Sequence, residues 1–131
     1  MDLQLRDFDH CRALYEKFLE WSPERASTWV KFAELEGILG DDERARAILE
    51  LAISDDVQLD MPELAWKAYI DFEWEAGEAG KARDIYERLL LKTDHIKVWV
   101  SYATFETGTG QEGMPRAREI LTRANAHFKA H

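Results

Sequence analysis

The chain has 131 residues, 17 basic and 26 acidic for a net charge of −9, with 46% hydrophobic and 11% aromatic side chains. That is too apolar for a disordered segment and sufficient for one packed domain. The acidic balance sets the average field against phosphate backbones and in favour of basic protein partners, and one cysteine, Cys11, excludes an internal disulfide or a thiolate metal cluster.

Apolar residues recur at helical spacing along the whole chain, and no segment alternates as a half-buried strand would. The first helix is predicted over 7–21, with 2–5 as the tail of a preceding one; it carries Cys11, Arg12, Leu14, Tyr15 and Glu16. Ser22 and Pro23 end it. The second, over 24–39, carries Trp29, Phe32, Leu35 and Glu36 and stops before Gly40. The third, over 42–54, carries Ala45, Arg46, Ile48, Leu49 and Glu50. A connection over 54–61 leads to Pro62, which opens the fourth helix, 62–76, with Trp66, Tyr69, Phe72 and Glu73. Gly77 and Gly80 separate it from the fifth, 79–92, with Ala82, Arg83, Ile85, Tyr86 and Glu87. The sixth, 95–107, carries Trp99, Tyr102, Phe105 and Glu106. After the glycine-rich loop 108–113, Pro115 lies in the first turn of the seventh, 115–129, with Ala117, Arg118, Ile120 and Leu121. Ser22, Asp60 and Asp94 are expected as caps or near-caps.

Two motifs alternate with one period. Trp29, Trp66 and Trp99 lie 37 and 33 residues apart, each followed by an aromatic at +3, an apolar residue at +6 and a glutamate at +7. Arg12, Arg46, Arg83 and Arg118 lie 34, 37 and 35 apart, each after a small residue. A shared period of this length marks stacked helix pairs, an all-α solenoid. The expected organisation is a single repeat domain over 1–131, with a partial repeat at 1–22 and repeats at 23–57, 58–93 and 94–131. The chain starts mid-unit, so it reads as a piece of a longer array with adhesive ends that self-associate.

The periodic residues Trp29, Trp66 and Trp99 are read as core anchors rather than ligand platforms. Glu36, Glu73 and Glu106 are expected to pair across their own hairpins with Arg46, Arg83 and Arg118, closing each unit. Trp21 and Trp74 fall off the period and are candidates for an exposed partner surface. Cys11 occupies an alanine-like position and is expected to be buried. Gly108, Gly110 and Gly113 match a dinucleotide-loop spacing but follow a helix, not a strand, so the segment reads as an inter-helix loop. Among His10, His95, His127 and His131, only His127 and His131 have ligand spacing, at the chain end, and no metal site is expected. Asp41, Asp42, Glu43, Asp55 and Asp56 read as helix-start and loop charges. No cofactor and no catalytic constellation is expected. The N-terminal residues lack the basic start and apolar run of a secretion signal, and no apolar run approaches the ~18 residues of a membrane span. The chain is expected to be soluble, in the cytosol or nucleus, without membrane contact.

The tryptophan–aromatic–glutamate helix followed by an Ala-Arg-x-Ile-Tyr-Glu-type helix resembles the half-a-tetratricopeptide (HAT) repeat, over essentially the whole chain. Residues 3–9, 11–20, 31–36, 38–41, 44–48 and 59–62 resemble the C-terminal repeats of the crooked-neck family of pre-mRNA splicing factors. The glycine-rich 75–80 and 108–110 depart from that pattern. The resemblance implies a nuclear scaffold for spliceosome assembly. Its implied partners are spliceosomal proteins: the NineTeen complex, a Myb-related splicing factor and other HAT proteins. RNA contact is not expected to dominate. Two readings stay open beside it: a HAT scaffold of another RNA-processing complex, in mRNA 3′-end cleavage or ribosomal-RNA processing, and a direct RNA binder.

Overall fold

Alanine and branched apolar residues at spacings of three and four give a helix one apolar stripe, which is buried by packing helix on helix. The structure, a computed structural model, describes residues 2–129, with side chains from Asp7 onward. Met1 of the N-terminal reading and His131 of the histidine pair lie outside the described residues. Seven helices occupy the described residues, without a strand: α1 Asp2–Trp21, α2 Ala26–Ile38, α3 Asp42–Ala52, α4 Pro62–Glu75, α5 Ala79–Leu90, α6 Ile96–Thr107 and α7 Gly113–Lys129. Each expected helix is present. Residues 2–5 belong to α1 itself, not to a separate preceding helix. No helix among the described residues is long and apolar enough to cross a membrane.

The chain forms two compact units, one ending at Asp71 and the other beginning at Phe72. In the first, α2 packs on α3 through Trp29, Phe32 and Ala33 against Ala45, Leu49 and Ala52, all buried. Alanine at two of the three α3 contact positions lets the helix axes approach closely. Trp29 Nε1 donates to the Pro23 carbonyl at 2.8 Å, so the large ring is buried without orphaning its polar end. Asp60 is the main departure from expectation. It caps α2 rather than the adjacent α4: its carboxylate accepts from Ala26 N–H at 3.0 Å, and its own N–H donates to Glu24 O at 2.7 Å. The loop over 54–61 thus straps the start of a helix 34 residues upstream. The reason is geometric, since the first α2 amides need acceptors and the N-cap residue, Arg25, makes no side-chain cap bond. Ser22 donates to Glu24 rather than capping α2 directly. Asp41 caps α3 by accepting from Arg44 N–H.

In the second unit, α6 packs on α7, burying Trp99 and Ala103 with Ala117, Ile120 and Ala124. Its N-cap is His95, whose Nδ1 accepts from Lys97 N–H, and not the neighbouring Asp94. Asp94 instead lies 3.3 Å from His127. Gly40 and Gly77 take φ of +85° and +79° just past α2 and α4, a conformation costly for other residues. The next amides, Asp41 N–H and Glu78 N–H, bond back to the carbonyls of Glu36 and Glu73 at 2.9 and 2.8 Å. The same signature glutamate therefore anchors the helix stop through its backbone.

Candidate interaction surface and the joint between helix pairs

Glu36, Glu73 and Glu106 are almost wholly buried, at 0%, 1% and 1% exposure. A carboxylate so placed needs a cation and hydrogen bonds. The structure supplies them from a different place than the spacing suggested. Arg12 Nε of α1 donates to Glu36 at 2.6 Å, and Arg44 Nε sits 2.7 Å from the other oxygen, in charge contact but not aligned as a hydrogen bond. Arg83 of α5 grips Glu106 of α6 with two bonds, 2.5 and 2.9 Å, and Thr109 Oγ1 adds a third at 3.0 Å. The expected pairs Glu36–Arg46, Glu73–Arg83 and Glu106–Arg118 are therefore corrected: each arginine whose partner is seen reaches the first helix of the following pair. Helical geometry explains it. Ala82 and Ile85 form the buried stripe of α5, and Arg83 and Tyr86, one position on, are rotated by about 100° from it and meet α6.

Aromatic stacking accompanies the charge at the same joint. Tyr15 stacks on Phe32, centroids 5.5 Å apart, beside Arg12–Glu36. Tyr86 stacks on Tyr102 at 4.8 Å, beside Arg83–Glu106, and its hydroxyl bonds Ser101. Two joints, one in each unit, are thus built from the same four positions. A second tie went unread in the sequence. The aromatic three past the tryptophan, when it is tyrosine, donates to the glutamate closing the arginine motif: Tyr69 to Glu50 at 2.7 Å and Tyr102 to Glu87 at 2.6 Å. The signal was available, because Glu50 and Glu87 recur four past the arginine. Where Phe32 stands instead, the equivalent Glu16 bonds Arg44.

Electrostatics follow the geometry. Burial pushes the Glu106 carboxyl up, but the Arg83 and Thr109 hydrogen bonds and the Arg83 charge outweigh it, leaving the group below its ordinary range. Glu87 is also held low, first by its double bond to Arg123, with the Tyr102 hydroxyl assisting against burial. Burial, then the hydrogen bond to Glu87, holds the Tyr102 phenol protonated well above the usual range. Arg123 also lies over the Trp99 ring, 5.5 Å from its centroid.

Trp29, Trp66 and Trp99 are each 6% exposed. Trp21 is 75% exposed, edge-on to Phe18. Trp74 is 42% exposed and packs edge-to-face on Phe105 and against Gly108. Arg46 and Glu73 both make contacts. Arg118 is exposed and forms no ion pair among the described residues. Cys11, expected to be buried, is exposed. Its equivalents Ala45, Ala82 and Ala117 are buried, two of them demonstrably on helices that share a pair with a preceding first helix; α1 has no such cover among the described residues. No group of three or more His, Cys, Asp or Glu could hold a metal ion among the described residues.

No family model matches the chain. It is 58% identical to crooked neck-like protein 1 of Homo sapiens over 126 residues, which are 95% of this chain and 15% of that protein. It is 49% identical to the pre-mRNA-splicing factor clf1 of Aspergillus fumigatus over 146 residues, 98% of this chain and 21% of that protein. It is 42% identical to the pre-mRNA-splicing factor cwf4 of Schizosaccharomyces pombe over 139 residues, 95% of this chain and 20% of that protein. The chain spans about a fifth or less of these relatives' length. With helix pairs joined through a recurring Arg–Glu and aromatic contact, these 131 residues belong to the crooked-neck/CLF1 family of pre-mRNA splicing factors, which are HAT-repeat proteins.

Proposed function

We propose that the chain is one section of a nuclear protein-binding scaffold that acts in spliceosome assembly, performing no chemistry of its own. The observation that carries this reading is the 58% identity to a crooked neck-like protein across a sequence whose signature residues are absorbed by packing. Trp29, Trp66, Trp99, Glu36, Glu73 and Glu106 face inward, so they serve the frame. Recognition falls to what the frame exposes, and Trp21 and Trp74 are the largest such side chains. Large aromatics are frequent anchors at protein interfaces. The partners assigned are spliceosomal proteins of the NineTeen-complex type, a Myb-related splicing factor and other HAT proteins. The net charge of −9 favours protein over RNA as the principal ligand. The test is capture from nuclear extract on the immobilised chain, with and without nuclease. Nuclease-resistant retention of NineTeen-complex proteins supports the reading. Retention of cleavage or ribosomal-RNA processing factors, or loss of all signal on nuclease treatment, overturns it.

A further inference from the structure

Three exposed positions in the middle of the chain break the repeat. Five residues past the signature arginines stand Lys17, Arg88 and Arg123, but Leu51 in the remaining copy. Five residues before the tryptophans stand Glu24 and Asp94, but Met61 before Trp66; two before them stand Ser27 and Lys97, but Leu64. Leu51, Met61 and Leu64 are 50%, 47% and 38% exposed, so burial does not account for the exchange of polar for apolar side chains. Nor does a chain end, because α1 and α2 precede them in the sequence and α5 to α7 follow. All three lie on one edge of the first unit. The hairpin of α2 and α3 brings the end of α3 to the start of α2, and the Asp60 strap brings the start of α4 to the same place. The connection there is the longest between helix pairs, nine residues over 53–61 against four over 22–25 and five over 91–95, and it adds the half-buried Val57 and Leu59 to the edge. Charge is one-sided as well. Between Arg46 and Lys67 stand Glu50, Asp55, Asp56, Asp60 and Glu63 and no basic residue. Glu50 accepts from Tyr69 and Asp60 caps α2, while Asp55, Asp56 and Glu63 are exposed.

We propose that this edge is a docking site for a basic amphipathic helix of a partner protein. Exposed apolar side chains that cluster within a polar rim mark interaction surfaces, whereas single ones are ordinary surface scatter. Leucine or another large apolar side chain on one face of the incoming helix covers Leu51, Met61 and Leu64. Lysine or arginine flanking that face meets Asp55, Asp56 and Glu63. The occupant is a helix because the described residues offer no strand edge to which an extended peptide could add, so side chains on one face must make the contact. Charge complementarity sets its sign: no basic side chain between Arg46 and Lys67 opposes a cationic segment, and an acidic one is repelled. The inference goes beyond the scaffold reading by naming one surface and one partner chemistry. It rests on that reading for the partner being a protein, and it fails separately from it, because its test uses purified components.

The probe is a synthetic amphipathic helix of leucine and lysine, about four turns long. Its binding to the 131-residue chain is followed by amide chemical shifts, which locate the site, and by fluorescence anisotropy, which gives the affinity. Circular dichroism verifies that each variant is folded. Shift changes are expected to concentrate on residues 51–64. Met61→Asp installs the residue type that Asp94 supplies in the next repeat and makes the edge more acidic, yet it is expected to weaken binding about tenfold, because an apolar contact is lost. Leu64→Lys, which installs the residue type of Lys97, is expected to weaken it at least as much. The double variant Asp56→Asn, Glu63→Gln is expected to weaken binding several-fold and to flatten its salt dependence. Binding unchanged or tightened by Met61→Asp reduces the edge to a charge effect and overturns the proposal. So do shift changes confined to α1 or α7, and equal binding of a leucine–glutamate helix. Dimerisation of the chain that Met61→Asp abolishes assigns the edge to a second copy and overturns it as well.

Discussion

Replacing Arg83 by methionine leaves the Glu106 carboxylate at 1% exposure with the Thr109 hydroxyl as its remaining side-chain partner. Removing one member of a buried pair costs about 3–5 kcal/mol. Two features of the site lower that figure. The Arg83 side chain is 28% exposed, so water can approach from its side once the guanidinium is gone. Glu106 can also escape by taking a proton, which at pH 7 costs about 1.36 kcal/mol per pH unit above an ordinary carboxyl pKa near 4.3, or about 3.7 kcal/mol at most. A loss of about 2–3.5 kcal/mol at pH 7 is expected. Repeat arrays need not unfold in two states, so the loss is best read from native-state hydrogen exchange of the α6 amides rather than from a melting midpoint alone. The double variant Arg83→Met, Glu106→Met is expected to recover most of the loss, since an apolar pair of similar volume tolerates burial. The penalty of the single variant should also shrink as the pH falls toward 4, because the uncompensated carboxyl is then neutralised. A penalty below about 1 kcal/mol at pH 7, or one unchanged at pH 4, would refute the buried-pair reasoning.

Other outcomes follow from the same structure. Asp60→Ala removes the side-chain cap seen on α2 and is expected to cost about 1 kcal/mol, read as lost amide protection at the start of that helix while α4 is little changed. Gly113→Ala places a Cβ 2.1 Å from the Glu106 carbonyl oxygen, backbone that has little room to shift, and is expected to destabilise by about 1–3 kcal/mol in urea unfolding. Cys11 should react stoichiometrically with a thiol reagent under native conditions; reaction only on unfolding would contradict its placement. Wild-type stability should be flat above the unfolded carboxyl pKa of about 4.3 and decline below it, because Glu87 and Glu106 have folded values lower than that and lose their bonds as pH falls through them.

The period, the seven helices and the inward tryptophans were legible because burial of one helical stripe dictates residue type at regular spacing. The partner of each signature glutamate was not. Separation along the chain favoured the hairpin, 10 residues from Glu36 to Arg46, over the 24 from Arg12 to Glu36 that the structure uses. Only the angular difference between Ala82 and Arg83 on the α5 surface decides between them, and it needs both neighbours in place. The Asp60 strap was illegible for a related reason: an aspartate two residues before Pro62 reads locally as a cap for the helix it precedes, and nothing local marks the amide of Ala26 as its target. Cys11 misled because an alanine-like position implies burial only where a covering helix exists. The recognition surface carries no period at all, since exposed positions are free of the packing constraint that makes the others repeat.

The repeated residues build the frame, and recognition is proposed to fall to exposed ones, Trp21 foremost. The most direct measurement is quantitative capture of splicing proteins from nuclease-treated nuclear extract on the wild-type chain and on Trp21→Ser, with the thermal melt of each recorded alongside. The expected result is an unchanged melt, given that Trp21 is 75% exposed, and retention reduced several-fold. Equal retention by a Trp21→Ser chain that is equally folded would contradict the assignment of recognition to that surface.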